Sequence, residues 1–119
     1  IPSSVTQIGD FAFSGCKSLS QISFDVPSKL TEIGYLAFNG CSSLTRISIP
    51  YSVNRIGNCA FSDCKSLVQI DIPSSVTQIG NSAFIRCSSL KQLDLCSVTK
   101  IECCAFNVLH WQNYHFLLL

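Results

Sequence analysis

The sequence predicts an α/β solenoid with one coil of chain per repeat, and three observations lead there. The Phe of an Ala-Phe pair recurs at Phe13, Phe38, Phe61, Phe84 and Phe106, at spacings of 25, 23, 23 and 22 residues. A fixed period in the twenties is the mark of stacked repeats. Other columns keep step with it: Ile8, Ile33, Ile56, Ile79 and Ile101 come five residues earlier, Cys16, Cys41, Cys64 and Cys87 three later, and Leu19, Leu44, Leu67 and Leu90 six later. Within each unit a strand-like alternation alternates with a stretch of helical spacing.

The elements follow in order from the middle unit, IPYSVNRIGNCAFSDCKSLVQIDI (49–72). LVQIDI (67–72) carries apolar residues at its first, fourth and sixth positions and reads as a half-buried strand, with Leu67, Ile70 and Ile72 inward and Val68, Gln69 and Asp71 outward. Its siblings are LSQISF (19–24), LTRISI (44–49) and LKQLDL (90–95). In register they make a parallel sheet with rungs about 4.8 Å apart. Pro27, Pro50 and Pro73 end the strands, since Pro cannot continue a ladder. Val53 to Gly57 then reads as a second, very short strand or extended piece. Gly9, Gly34, Gly57 and Gly80 close it, where the backbone needs positive φ or close approach. Asp10, Asn58 and Asn81 stand as N-caps of a single helical turn. In that turn Ala60, Phe61 and Cys64 face inward together.

The units are 1–25, 26–48, 49–71, 72–94 and a degenerate 95–119, all in one domain. The first is lengthened by residues inserted between its strand and Pro27. Trp111 to Phe116 reads as a last, displaced strand. Leu117, Leu118 and Leu119 would leave an apolar end, which predicts either further chain or end-to-end stacking on another molecule. The lack of Met, and a start inside the repeat, predict a piece of a longer array.

Charged residues are 13% of the chain, against about 25% in an average protein, and the formal net charge is +1. That excludes the clustered Lys and Arg of a nucleic-acid footprint. No signal-peptide pattern occurs within these 119 residues, and no apolar run in them approaches the roughly 20 residues of a membrane span. Four of the eight cysteines share one column. Neighbours in a parallel ladder stay too far apart at Cβ for a disulfide, so Cys16, Cys41, Cys64 and Cys87 read as buried free thiols. Cys59 and Cys104 share another column two rungs apart, about 10 Å, again too far.

The columns Leu-x-x-Ile-x-Ile-Pro, x-x-Val-x-x-Ile-Gly and x-x-Ala-Phe-x-x-Cys resemble the BspA-like class of leucine-rich repeats over residues 1–106. The resemblance implies a curved, right-handed solenoid with the Leu-x-x-Ile-x-Ile strands on a concave parallel sheet and short helical turns on the convex side. It also implies a cell-surface or secreted adhesive role, with protein partners such as fibronectin or fibrinogen, and no catalytic residues. Glu102, Cys96 and Leu109 depart from the Gly, Pro and Cys columns, all in the last unit.

Motifs for nucleophilic, zinc-protease and nucleotide chemistry are missing. His110 and His115 flank Trp111 and Tyr114 and read as outward residues of a cap strand rather than a metal site. Cys103 and Cys104 lack the second pair of a zinc site. Seven carboxylates scatter without pairing. No enzyme, cofactor or metal is expected. The remaining candidate is the outward strand face: Gln21, Arg46, Ser48, Gln69, Asp71, Lys91 and Gln92. Of these only Arg46 is of a type that dominates binding energy. The function expected is a non-enzymatic protein-interaction module, adhesive and at a cell surface. The alternative is a cytoplasmic scaffold domain of the same shape.

Overall fold

The computed structural model describes residues 1–91, 93, 98–101 and 105. Its strands are short: β1 (Gln7–Ile8), β2 (Glu32–Ile33), β3 (Arg46–Ser48), β4 (Arg55–Ile56), β5 (Gln69–Asp71), β6 (Gln78–Ile79) and β7 (Lys100–Ile101). They form two parallel sheets. One runs β1-β2-β4-β6-β7 and is built from the Val-x-x-Ile-Gly arm of successive coils. Its register pairs Ile8 with Ile33, Ile33 with Ile56, Ile56 with Ile79 and Ile79 with Ile101. The other is β3-β5, from the Leu-x-x-Ile-x-Ile arm, with Ile47 opposite Ile70.

This reverses the weight expected of the two arms. The very short extended piece carries the long ladder, and among the described residues the main strand pairs in one place. Run 19–24 is not a strand beside β3. The extra residues before Pro27 supply a physical reason, because a longer first coil cannot keep both arms in register with the second. Ser23 and Asp25 turn to Ile1 instead: the Ile1 amino terminus donates to the Ser23 carbonyl at 2.7 Å, and the Asp25 N–H donates to the Ile1 carbonyl at 2.9 Å.

The glycine column explains the long ladder. A Cβ on Gly57 would lie 2.9 Å from the Gly34 carbonyl carbon and 3.0 Å from the Ile33 oxygen. Backbone packs on backbone there, so close approach, not positive φ, is what this column serves.

The expected helical turns are a correction: the α/β class does not hold, for no helix occurs among the described residues. The Ala-Phe arm is a run of tight turns. Ala12, Ser14 and Cys16 N–H groups each donate three residues back, to Gly9, Phe11 and Phe13. The alternate N–H groups leave the coil. Phe11 donates to Tyr35 O at 2.8 Å, Phe13 to Ala37 O at 2.7 Å and Gly15 to Asn39 O at 2.7 Å. The pattern repeats from Phe38 to Ala60, Phe61 to Ala83 and Phe84 to Ala105. Positive φ at Phe11, Leu36, Cys59 and Ser82, between 55° and 61°, breaks any helical run. Gly15, Gly40, Asp63 and Arg86 repeat that break four residues on. The reason is spacing. Successive Phe rings stack 5.2 to 5.5 Å apart, whereas an α-helix is about 10–12 Å across. Coils this close link to one another through backbone and leave no room for a helix in each.

The expected N-caps do different work. Asp10 Oδ1 accepts from the Tyr35 N–H at 2.9 Å and Asn58 Oδ1 from the Asn81 N–H at 2.8 Å, so each ties its coil to the next.

The core runs up the stack. Phe38, Phe61 and Phe84 are fully buried with their rings near parallel, between Ile33, Ile56 and Ile79 on one side and Leu44, Leu67 and Leu90 on the other arm. Cys41, Cys64 and Cys87 are free and buried. Each thiol meets the carbonyl of a Phe in the coil before: Cys41 that of Phe13, Cys64 that of Phe38 and Cys87 that of Phe61, at 3.0 to 3.2 Å. Cys16 departs from the expected buried set and is exposed. Readings made on Gln92, Asp94, Cys96, Glu102, Cys103, Cys104, Phe106, Leu109, His110, Trp111, Tyr114, His115 and residues 116–119 lie outside the described residues.

Candidate functional site

The candidate site is built by β3 and β5 and the ends that follow them. Alternation buries Ile47 and Ile70 and turns Arg46, Ser48 and Asp71 out, with Gln69 half-buried. Register sets Arg46 beside Gln69 and Ser48 beside Asp71 on neighbouring rungs. The outward groups are partly joined. Ser48 Oγ donates to Asp71 Oδ2 at 2.9 Å, and Gln69 Nε2 donates to Asp71 Oδ1 at 3.0 Å. Asp71 therefore has both oxygens engaged.

Arg46 differs from the other arginines. Arg55 lies 3.6 Å from Glu32, and Arg86 grips Asp63 through two bonds of 2.6 and 2.7 Å. That grip holds the Asp63 carboxyl below the usual range. Arg46 makes no ion pair among the described residues. Its guanidinium is left for whatever approaches the face.

Two clefts open on this arm. One, of about 730 Å³, is lined by Gln21, Ser23 and Phe24 from the first coil and Arg46, Ser48 and Tyr51 from the second. The other, of about 540 Å³, is lined by Ser48, Tyr51, Gln69, Asp71 and Ile72. Gln21, Arg46 and Ser48 thus share one cleft, and Ser48, Gln69 and Asp71 share the other. Lys91 lines neither and is exposed, while its backbone N–H reaches the Val68 carbonyl at 3.4 Å. Gln92 lies outside the described residues.

Tyr51 is the residue that sequence reasoning passed over. It is 82% exposed and borders both clefts. Tyr is among the types that concentrate binding energy. The signal was in the corner column: Pro2-Ser3 and Pro73-Ser74 become Pro50-Tyr51 in the third unit, a costly aromatic where small Ser suffices for the turn. Among the described residues no group of three or more His, Cys, Asp or Glu could hold a metal ion.

The arrangement offers a run of donors and acceptors with Arg46, which has no ion pair among the described residues, and the exposed aromatic Tyr51. The profile of the BspA type leucine rich repeat region matches residues 1–110 in six copies. The chain belongs to the BspA-type leucine-rich-repeat family. Three solved structures share this repeat. A leucine-rich-repeat protein of T. pallidum is 39% identical with a TM-score of 0.80, over 85% of this chain and 47% of that one. The pneumococcal vaccine antigen PcpA is 35% identical with a TM-score of 0.76, over 85% and 25%. A leucine-rich-repeat protein of Bacteroides ovatus is 34% identical with a TM-score of 0.71, over 86% and 30%. This BspA-type chain therefore spans about half of the T. pallidum protein and less of the others. No curated protein matches it. No helix among the described residues is long and apolar enough to cross a membrane.

Proposed function

We propose that this BspA-type module is a non-catalytic binder of protein at a cell surface, and that it takes its partner on the β3-β5 arm around Arg46 and Gln69. The observation that carries the reading is that the unneutralised Arg46 and the exposed Tyr51 line one cleft, next to polar side chains aligned by register. Aromatic and Arg anchors on a prearranged surface are what concentrates binding energy in protein interfaces. A vaccine antigen and a leucine-rich cell surface protein from Faecalibacterium prausnitzii, 32% identical with a TM-score of 0.58, support the surface location over a cytoplasmic scaffold.

The partner class is an extracellular protein, with fibronectin and fibrinogen as the first to test. Captured on immobilised fibronectin or fibrinogen, Arg46→Ala with Gln69→Ala should lose binding, while Lys17→Ala with Lys65→Ala, on exposed turns, should keep it. Loss with the lysine pair and retention with the strand pair would overturn the assignment of the face.

A further inference from the structure

The cleft between the first coil and β3 has the free edge of β3 as one wall and, as the other, a first-coil run (Gln21 to Phe24) that is not a strand. Successive backbone groups of an extended chain point to opposite sides in the plane of the sheet. β3 spends one set on β5: the Thr45 carbonyl accepts from the Val68 N–H at 2.9 Å, and the Ile49 N–H donates to the Asp71 carbonyl at 3.0 Å. The backbone groups of Arg46 and Ser48 therefore face the first coil. Across the cleft, Ser23 and Asp25 spend their set on Ile1, so those of Ile22 and Phe24 face β3. The two sets do not meet: neither Ile22 nor Phe24 makes a backbone hydrogen bond to Arg46 or Ser48. An unpaired edge is a template for another extended chain, and here the free edge of β3 opens on a cleft of about 730 Å³ whose far wall is the first-coil run with Ile22 and Phe24.

The side chains say what kind of chain. Arg46 stands at one end without an ion pair among the described residues. At the other end Val26, 85% exposed, and Tyr51, 82% exposed, present apolar surface to the same cleft. The Asp71 carboxylate, beside β3, is held by Ser48 and Gln69. We propose that this cleft takes an extended peptide segment of a partner protein as an added strand, with an acidic residue of the segment on Arg46 and an apolar one against Tyr51 and Val26. From Arg46 to Tyr51 the cleft matches a segment of about five or six residues at about 3.3 Å each. The inference rests on the protein-binding reading above and names the form in which the partner enters.

The test uses capped peptides of the type Glu-Thr-Ile-Thr-Val-Thr, with Val, Ile and Phe varied at the apolar positions. Amide hydrogen exchange is followed on the whole chain. In the free protein the Ile22, Phe24, Arg46 and Ser48 amides should exchange fast. A saturating peptide should slow them by at least about tenfold, as new backbone hydrogen bonds do. N-methylation of alternate peptide amides should abolish that protection, and Arg46→Glu should exchange the preference for Glu for one for Lys. Amides already protected in the free chain would overturn the proposal, because the ladder would then be closed. So would a panel that fails to protect them. Fibronectin or fibrinogen capture that depends on Arg46 and Gln69 yet leaves the four amides fast would sink the added strand and leave the binding face standing. Capture indifferent to Arg46 and Gln69 would instead remove the face itself.

Discussion

The Ile-Gly arm and the Leu-x-x-Ile-x-Ile arm belong to the same coils, yet they solve stacking differently. The first makes five rungs without a break, because Gly34, Gly57 and Gly80 let backbone lie against backbone. The second pairs only β3 with β5 among the described residues and opens where the first coil is longer. Their side chains follow suit. The Ile-Gly arm shows small or self-paired groups such as Arg55 with Glu32 and the Asn58 link to Asn81. The other arm shows Arg46 and Tyr51, which nothing in the fold requires. One arm serves the stack, and the other is the arm on which we propose that a partner binds.

Substitutions can break that contrast, beginning with the core that both arms share. Phe61→Ala should cost about 3–5 kcal/mol in urea melts, the range for emptying a buried Phe site. Its ring stacks on Phe38 and on Phe84. Phe13→Ala should cost clearly less, for Phe13 is half-buried and stacks on Phe38 alone. Equal losses would mean that the coils are not cooperative neighbours. Next, Gly57→Ala should cost about 1–3 kcal/mol, because the new methyl meets backbone that cannot rotate away. Gly9→Ala, with nothing within 4 Å, should be neutral within about 0.5 kcal/mol. A neutral Gly57→Ala would remove the physical basis of the long ladder.

The thiol column offers a pH test of the shared core. Burial pushes the Cys87 thiol up to about 12, and burial, with the Cys16 thiol next to it, pushes Cys41 up to about 11. Burial raises Cys64 as well. The folded state thus prefers the protonated thiol. Its contribution is fully present below the ordinary thiol range of about 8.5 and is lost as pH rises through the folded values. Urea midpoints of the wild type should fall from about pH 9 towards pH 12 more steeply than those of Cys87→Ala. In the native state Cys16 and the half-buried Cys59 should react with a thiol reagent while Cys41, Cys64 and Cys87 resist. Parallel pH curves for the two proteins would show that Cys87 is not buried as described. The smallest effect on stability is expected on the proposed binding arm, where Arg46→Ala with Gln69→Ala should stay within about 0.5 kcal/mol while capture is lost. A large loss of stability would make that arm structural.

Much of this was legible in the columns. The period, the inward Phe, Cys, Ile and Leu, and the outward Arg46, Ser48, Gln69 and Asp71 all follow from repetition and alternation, which are local properties of the chain. Tyr51 was legible as a departure in the Pro-Ser corner and was overlooked because turn residues read as solvent-facing punctuation. The helical turn was misjudged for a physical reason: Ala60, Phe61 and Cys64 have the spacing of a helix face, and a run of tight turns places them inward equally well. No residue type marks positive φ at Phe11, Leu36, Cys59 and Ser82, since bonds to the next coil impose it.

By itself the sequence determined that the coils stack, how many residues each takes and which side chains fill the centre, because a buried column needs only a repeated residue at a repeated place. The tertiary structure decided the rest: tight turns instead of helices, glycines that serve close approach, a long ladder on the shorter arm and an open cleft on the longer one. Each of these depends on the distance between coils, about 5 Å from ring to ring. That distance is set by all three arms of a coil packing at once, and no stretch of chain read alone contains it.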